Sequence, residues 1–123
     1  NGDPSGNVAD ESLKRKFPKM DIWAGYDDGY VYTAPIGSFR PNNLGLYDMT
    51  GNVWEWCSDW FDESYYKNST RDNPRGPASG QYRVTRGGSW DNVPSLVRAA
   101  ARVWFGPAER YSGFGFRLAS PAP

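Results

Sequence analysis

The chain has 123 residues, 14 acidic and 14 basic side chains, a single Cys and no His. That length suits one domain with one core, and the absence of net charge removes the electrostatic basis of a general nucleic-acid binder. Without His, Ser-His-Asp and Cys-His catalysis and every imidazole-held metal site are excluded, and a lone Cys57 excludes an internal disulfide or a CxxC motif.

The first helix candidate runs from Asp10 to Lys16, with Asp10 as cap, Glu11 in the first turn and Pro18 as the stop. Asp28-Gly29 is a turn signal between β-favouring residues, and Tyr30 to Thr33 is β-prone but limited by Pro35. After a loop at Arg40 to Asn43, Val53 to Trp60 alternates as a strand. Trp54, Trp56 and Ser58 share one face; Val53, Glu55, Cys57 and Asp59 share the other. Phe61 to Gly80 reads as loop. Tyr82 to Arg86 reads as a strand stopped by Gly87-Gly88, and Gly113 to Ala119 as a closing strand. Leu96 to Arg102 favours helix by propensity. The sum is a loop-rich α+β domain.

Aromatics form 16% of the chain, so large rings carry much of the burial. No apolar run approaches the ~18 residues of a membrane span, and no signal-peptide core opens the chain. Asn1 to Gly6 resembles the middle of a loop, which suggests a fragment of something longer.

The most specific stretch is Gly45-Leu-Tyr-Asp-Met-Thr-Gly-Asn-Val-Trp-Glu-Trp56. Asp48 and Glu55 flank a Gly51-Asn52 turn that can aim carbonyls inward, and an oxygen-only donor set suits Ca²⁺ over any soft metal. The alternative is structural: Asp48 closes a turn and Glu55 pairs with an arginine. Arg86, Arg98, Arg102 and Arg117 are candidate partners for Glu55, Asp59 and Asp91.

This stretch, with Ser58-Asp-Trp60, Arg86-Gly-Gly-Ser-Trp90, Arg98-Ala-Ala-Ala-Arg102 and Gly115-Phe-Arg117, resembles the formylglycine-generating enzyme (sulfatase-modifying factor) family. The resemblance runs from about Asn7 to Ala119 and implies a C-type-lectin-like fold with short antiparallel strands, a single domain over residues 1–123 that matches the C-terminal part of the family's longer chain. It also implies two structural Ca²⁺ sites. One uses Asp48 and Glu55 by side chain and Gly51 and Val53 by carbonyl; the other uses Asn7 and Asp28 with the carbonyls of Val8 and Tyr30. In this fold the segment around Arg98 to Arg102 is extended, against its local propensity, and tertiary context overrides a weak prior.

The same resemblance implies lost catalysis. The family's copper-binding cysteine pair falls on Pro94 and Ala99, so neither copper nor catalytic residues are expected here. Between the frame motifs stand Trp90, Asp91, Asn92, Val93, Ser95, Val97, Val103, Trp104, Phe105, Glu109, Tyr111, Ser112 and Phe114. Aromatics beside Ser and Asn make a recognition surface, although Trp104, Phe105 and Phe114 also suit a core. Variable proteins of diversity-generating retroelements share the fold and vary this segment. The expected function is therefore non-catalytic binding of a protein or glycan, with no nucleic acid and no membrane span. The alternative is part of a formylglycine-generating-type oxidase whose active residues lie elsewhere. Calcium dependence would suit an extracellular, periplasmic or surface location.

Overall fold

The computed structural model describes residues 6–120; the loop-like opening at residues 1–5 lies outside them. Helix α1 spans Glu11–Lys16 as its end signals predict: the Asp10 side chain accepts from Leu13 N, basic residues fill the last turn, and Phe17 N closes on Leu13 O. Its buried residues are Ser12 and Leu13. Pro18 follows, where an ongoing helix would need an N–H.

No helix or strand occurs between Phe17 and Val53. Tyr30 to Thr33 is not the strand its propensity suggests, because the Tyr32 carbonyl is taken by the Asn7 side chain at 2.6 Å. Strand β1, Trp54–Trp60, is the centre of the molecule. It is followed by a short helix α2, Tyr65–Asn68, inside the stretch read as loop, and by β2, Arg83–Arg86. Strands β3, Val103–Phe105, and β4, Phe114–Gly115, complete a sheet of order β3-β2-β1-β4. β1 pairs with β2 antiparallel, with a bulge between Trp56 and Trp60, and β2 pairs with β3 antiparallel.

Three expectations need correction. β4 lies parallel to β1, so the sheet is mixed rather than antiparallel. The closing strand is only two residues long; beyond it Phe116 and Leu118 are exposed and have no strand to pair with. Residues 95–102 are neither helix nor strand. Turns from Leu96 N to Val93 O and from Ala101 N to Arg98 O carry the chain to an extended run only at Val103. Burial of Val97 against Gly88 holds the segment in these turns.

The buried apolar set is small: Val8, Ala9, Leu13, Ala34, Trp54, Val84 and Val97. Almost as many polar residues are buried with it, and they tie the loops. Asn52, at φ 65°, is the main knot. Its Oδ1 accepts from Ala34 N at 2.9 Å, its Nδ2 donates to Ala34 O at 3.2 Å, its N donates to Asn7 O, and its carbonyl accepts from Trp90 N. One residue, in a left-handed backbone conformation that Asn tolerates, thus joins three segments far apart in sequence. Among the described residues no helix is long and apolar enough to cross a membrane.

Candidate ligand surface and cation sites

Asp48, Gly51, Val53 and Glu55 line one cavity of about 160 Å³. Asp48 Oδ2 accepts from Gly37 N at 2.8 Å, while its Oδ1 is buried without a donor. Glu55 gives both oxygens to Arg117: Nε donates to Oε2 at 2.7 Å and Nη2 to Oε1. Arg117 also donates to the carbonyls of Tyr47 and Asp48, at 3.0 and 3.1 Å. The arginine pairing offered as the alternative role for Glu55 is thus present. Arg117 lies in the wall of the same cavity, so a cation held there would compete with a guanidinium for Glu55. Reading the sequence named Arg117 only as one of four possible partners. Its place in the cavity depends on β4 returning beside β1, which no local signal announces.

The second set also converges. Asn7 is fully buried and donates Nδ2 to Tyr32 O, yet its Oδ1 has no donor. Asp28 accepts from Val8 N at 3.0 Å and Tyr30 N at 2.7 Å, and its own N–H donates to the buried Asp10 carboxylate. Burial, with the Asp10 charge adding to it, pushes the Asp28 carboxyl up to about 6. A divalent cation would relieve that cost. Among the described residues, the two buried side-chain polar atoms without a partner are Asn7 Oδ1 and Asp48 Oδ1, one in each set. No cluster of three or more His, Cys, Asp or Glu occurs there, so amide and carbonyl oxygens would have to complete each shell.

The thirteen proposed surface residues divide. Val97 is buried at 4% exposure against Gly88, so it belongs to the core and not to the exposed recognition surface, a correction to the expectation. Phe105 and Phe114 pack on each other at 4.6 Å and on Trp56 at 6.4 and 5.1 Å, sealing one face of the sheet. Trp90 lies edge-on to Tyr32, and Asn92 is tied to Ser89 and Ala9. Asp91 accepts hydroxyls from Ser89 and Tyr111. Val93 caps a turn through its carbonyl, and Val103 is paired with Thr85 in the sheet.

Ser95, Trp104, Glu109, Tyr111 and Ser112 remain exposed. Glu109 is partly committed, since its Oε1 accepts from Gly106 N at 2.7 Å. Trp104 stacks with Tyr82 at 4.5 Å and Phe61 at 5.5 Å. Tyr82 and Phe61 were absent from the proposed surface. The strand pairing that sets Val84 opposite Trp104 brings Tyr82 into diagonal reach.

A sequence model of the sulfatase-modifying factor enzyme 1-like domain matches residues 2–122. The chain belongs to the sulfatase-modifying factor family. It is 43% identical over 114 residues to a formylglycine-generating enzyme of Streptomyces coelicolor, covering 85% of this chain and 36% of that relative. It is 34% identical over 113 residues to the mouse inactive C-alpha-formylglycine-generating enzyme 2, covering 87% of this chain and 31% of the relative. Its fold superimposes on Treponema denticola variable protein 1 with a TM-score of 0.66 at 40% identity, over 76% of this chain and 34% of that one. The chain therefore spans about a third of the length of these relatives.

Within this sulfatase-modifying factor domain, Pro94 and Ala99 take different positions. Pro94 walls a cavity of about 350 Å³, whereas Ala99 is exposed and its carbonyl accepts from Arg86. Cys57 sits on β1, half-buried, its Sγ 3.8 Å from the Glu55 carbonyl. Burial, followed by the Asp59 charge, pushes this thiol up, so its reactive thiolate is disfavoured.

Proposed function

We infer that this chain is a non-catalytic ligand-binding module on a formylglycine-enzyme-type scaffold, of the kind that retroelements diversify. One feature carries the reading: the positions that the resemblance sets against the family's cysteine pair hold Pro94 and Ala99, while the sheet and the Asn52 knot are present. Neither Pro nor Ala can bind copper or form a thiolate, and the remaining thiol, Cys57, is held in its protonated form by burial. The likeness to a variable protein and to an inactive relative supports the reading.

The binding surface is the exposed remainder of the 90–114 segment: Trp104 with Tyr82 and Phe61 stacked beside it, and Tyr111 with Ser112. Exposed aromatic rings next to small polar side chains supply contact area at low entropic cost, which fits a protein or glycan surface. Ca²⁺ is the cofactor of this reading. Asp48 and Glu55 with the carbonyls of Gly51 and Val53, and Asn7 and Asp28 with the carbonyls of Val8 and Tyr30, would hold it. Its role is to pin loops that have no regular structure.

The identity to formylglycine-generating enzymes keeps a second reading in play, a part of a larger oxidase with its active residues elsewhere. Copper titration and a cysteine-peptide oxidation assay on the full-length protein separate the two. The binding reading expects no stoichiometric Cu(I) uptake and no turnover. Turnover by protein freed of co-purifying homologues would overturn it. Sequences of sibling loci test the retroelement subclass, which expects differences to gather between Trp90 and Phe114.

A further inference from the structure

A cavity larger than the one beside Glu55 lies away from the aromatic surface. Trp23, Leu46, Met49, Pro94 and Val97 supply apolar walls to its volume of about 350 Å³, within the ~300–1,000 Å³ typical of small-ligand sites. Its loop wall is held in shape by Asn42, whose Oδ1 accepts from Leu44 N and Leu46 N at 2.9 and 3.0 Å.

Two guanidinium groups, Arg40 and Arg98, line the same cavity. Arg98 Nε donates to Ser95 O at 2.9 Å, which orients the group and leaves both terminal nitrogens without a partner among the described residues. Arg40 forms no hydrogen bond or ion pair within the described residues. Against them stands one carboxylate, Asp48, whose Oδ2 is engaged by Gly37 N. The cavity thus carries a net positive charge beside apolar walls. Guanidinium forks match planar oxyanions, and the walls need an apolar body to fill them.

We propose that this cavity binds an apolar carboxylate, either the C-terminal residue of a peptide or a free acid of the same chemistry. Of the thirteen residues of the 90–114 surface only Val97 reaches it, so the site stands whether or not that surface binds a macromolecule.

The test is isothermal titration of the full-length protein with N-acetyl-L-phenylalanine, its carboxamide, inorganic phosphate, and a short peptide ending in phenylalanine. Saturable binding of the acid is expected, at least about tenfold tighter than the carboxamide or phosphate. Arg40→Gln, at a side chain with no hydrogen bond or ion pair among the described residues, should weaken the acid about tenfold with an unchanged circular dichroism spectrum. Arg98→Lys, which keeps the charge but loses the fork, should also weaken it. A free-C-terminal peptide that outcompetes the acid supports a peptide ligand, and equal affinities support a free acid. Equal binding of acid and carboxamide, phosphate binding as tightly as the acid, no binding of the acid or peptide, or unchanged affinity in both variants would overturn the proposal.

Discussion

Tyr111 lies at the surface, yet its hydroxyl donates to Asp91 and its ring packs edge-on against Phe114 at 5.3 Å. Partial burial, reinforced by the hydrogen bond and charge of Asp91, pushes the phenol up to about 12 from its ordinary 10.0. A folded-state value above the unfolded one means that the contribution to stability is complete below pH 10 and is lost as pH rises through about 12. We expect a tyrosinate absorbance titration to contain a late step that Tyr111→Phe removes. Asp91→Asn should move that step toward 10 by deleting the acceptor charge. A late step that stays in place in Asp91→Asn would show that the Asp91 contact does not govern Tyr111. The experiment bears on the proposed function, because it reports whether Asp91 ties Tyr111 within the segment proposed for ligand contact.

At the scale of elements, the approach of the Gly51-Asn52 turn to the chain at Asn7 decides whether β1 is positioned at all. Gly51 sits at φ 73°, and a Cβ there would lie 1.9 Å from Asn7 O. Gly45 has nearly the same φ, 75°, with nothing within 4 Å. Gly45→Ala should therefore cost only the left-handed strain, about 1–2 kcal/mol. Gly51→Ala should add a backbone clash and destabilise by roughly 3 kcal/mol or more, or prevent folding. Equal denaturation midpoints for the two variants would refute the close approach. The same contrast explains what could be read in advance. α1 and the β1 and β2 strands were legible because caps, a proline stop and period-two alternation are local. The stretch from Leu96 to Arg102 was not, since its alanines favour helix while the burial of Val97 against Gly88 holds it in turns. Likewise Asp48 and Glu55 could be paired from one motif. The parallel return of β4 that seats Arg117 between them involves residues more than sixty positions away.

At the scale of the molecule, the seven buried apolar residues among those described and a four-stranded sheet with two very short edges give a modest core, and the long run from Phe17 to Val53 holds its place without a helix or strand of its own. Asn7 and Asp28 link the segment before α1 to that run, and Arg117 bridges the Tyr47 and Asp48 carbonyls of the run to Glu55 on β1. A divalent cation at either set would act on global stability rather than on one loop, because it binds only when these distant segments have come together. Native-state binding stabilises by mass action, about 2.7 kcal/mol at a hundredfold excess of ion over Kd. For a domain of this size that corresponds to a rise in Tm of roughly 10 °C. We therefore expect millimolar Ca²⁺ to raise the Tm and a chelator to reverse the rise, with Mg²⁺ weaker because it demands tighter octahedral geometry. Asp48→Ala should remove the part of the response carried by the first set and Asn7→Ala the part carried by the second. Because Glu55 is already engaged by Arg117 whereas Asp28 faces only backbone N–H groups and the Asp10 carboxylate, the larger loss should come from Asn7→Ala. Coincident melting curves with calcium and with chelator would remove calcium from the account and leave Asn7 Oδ1 and Asp48 Oδ1 as uncompensated costs of the fold.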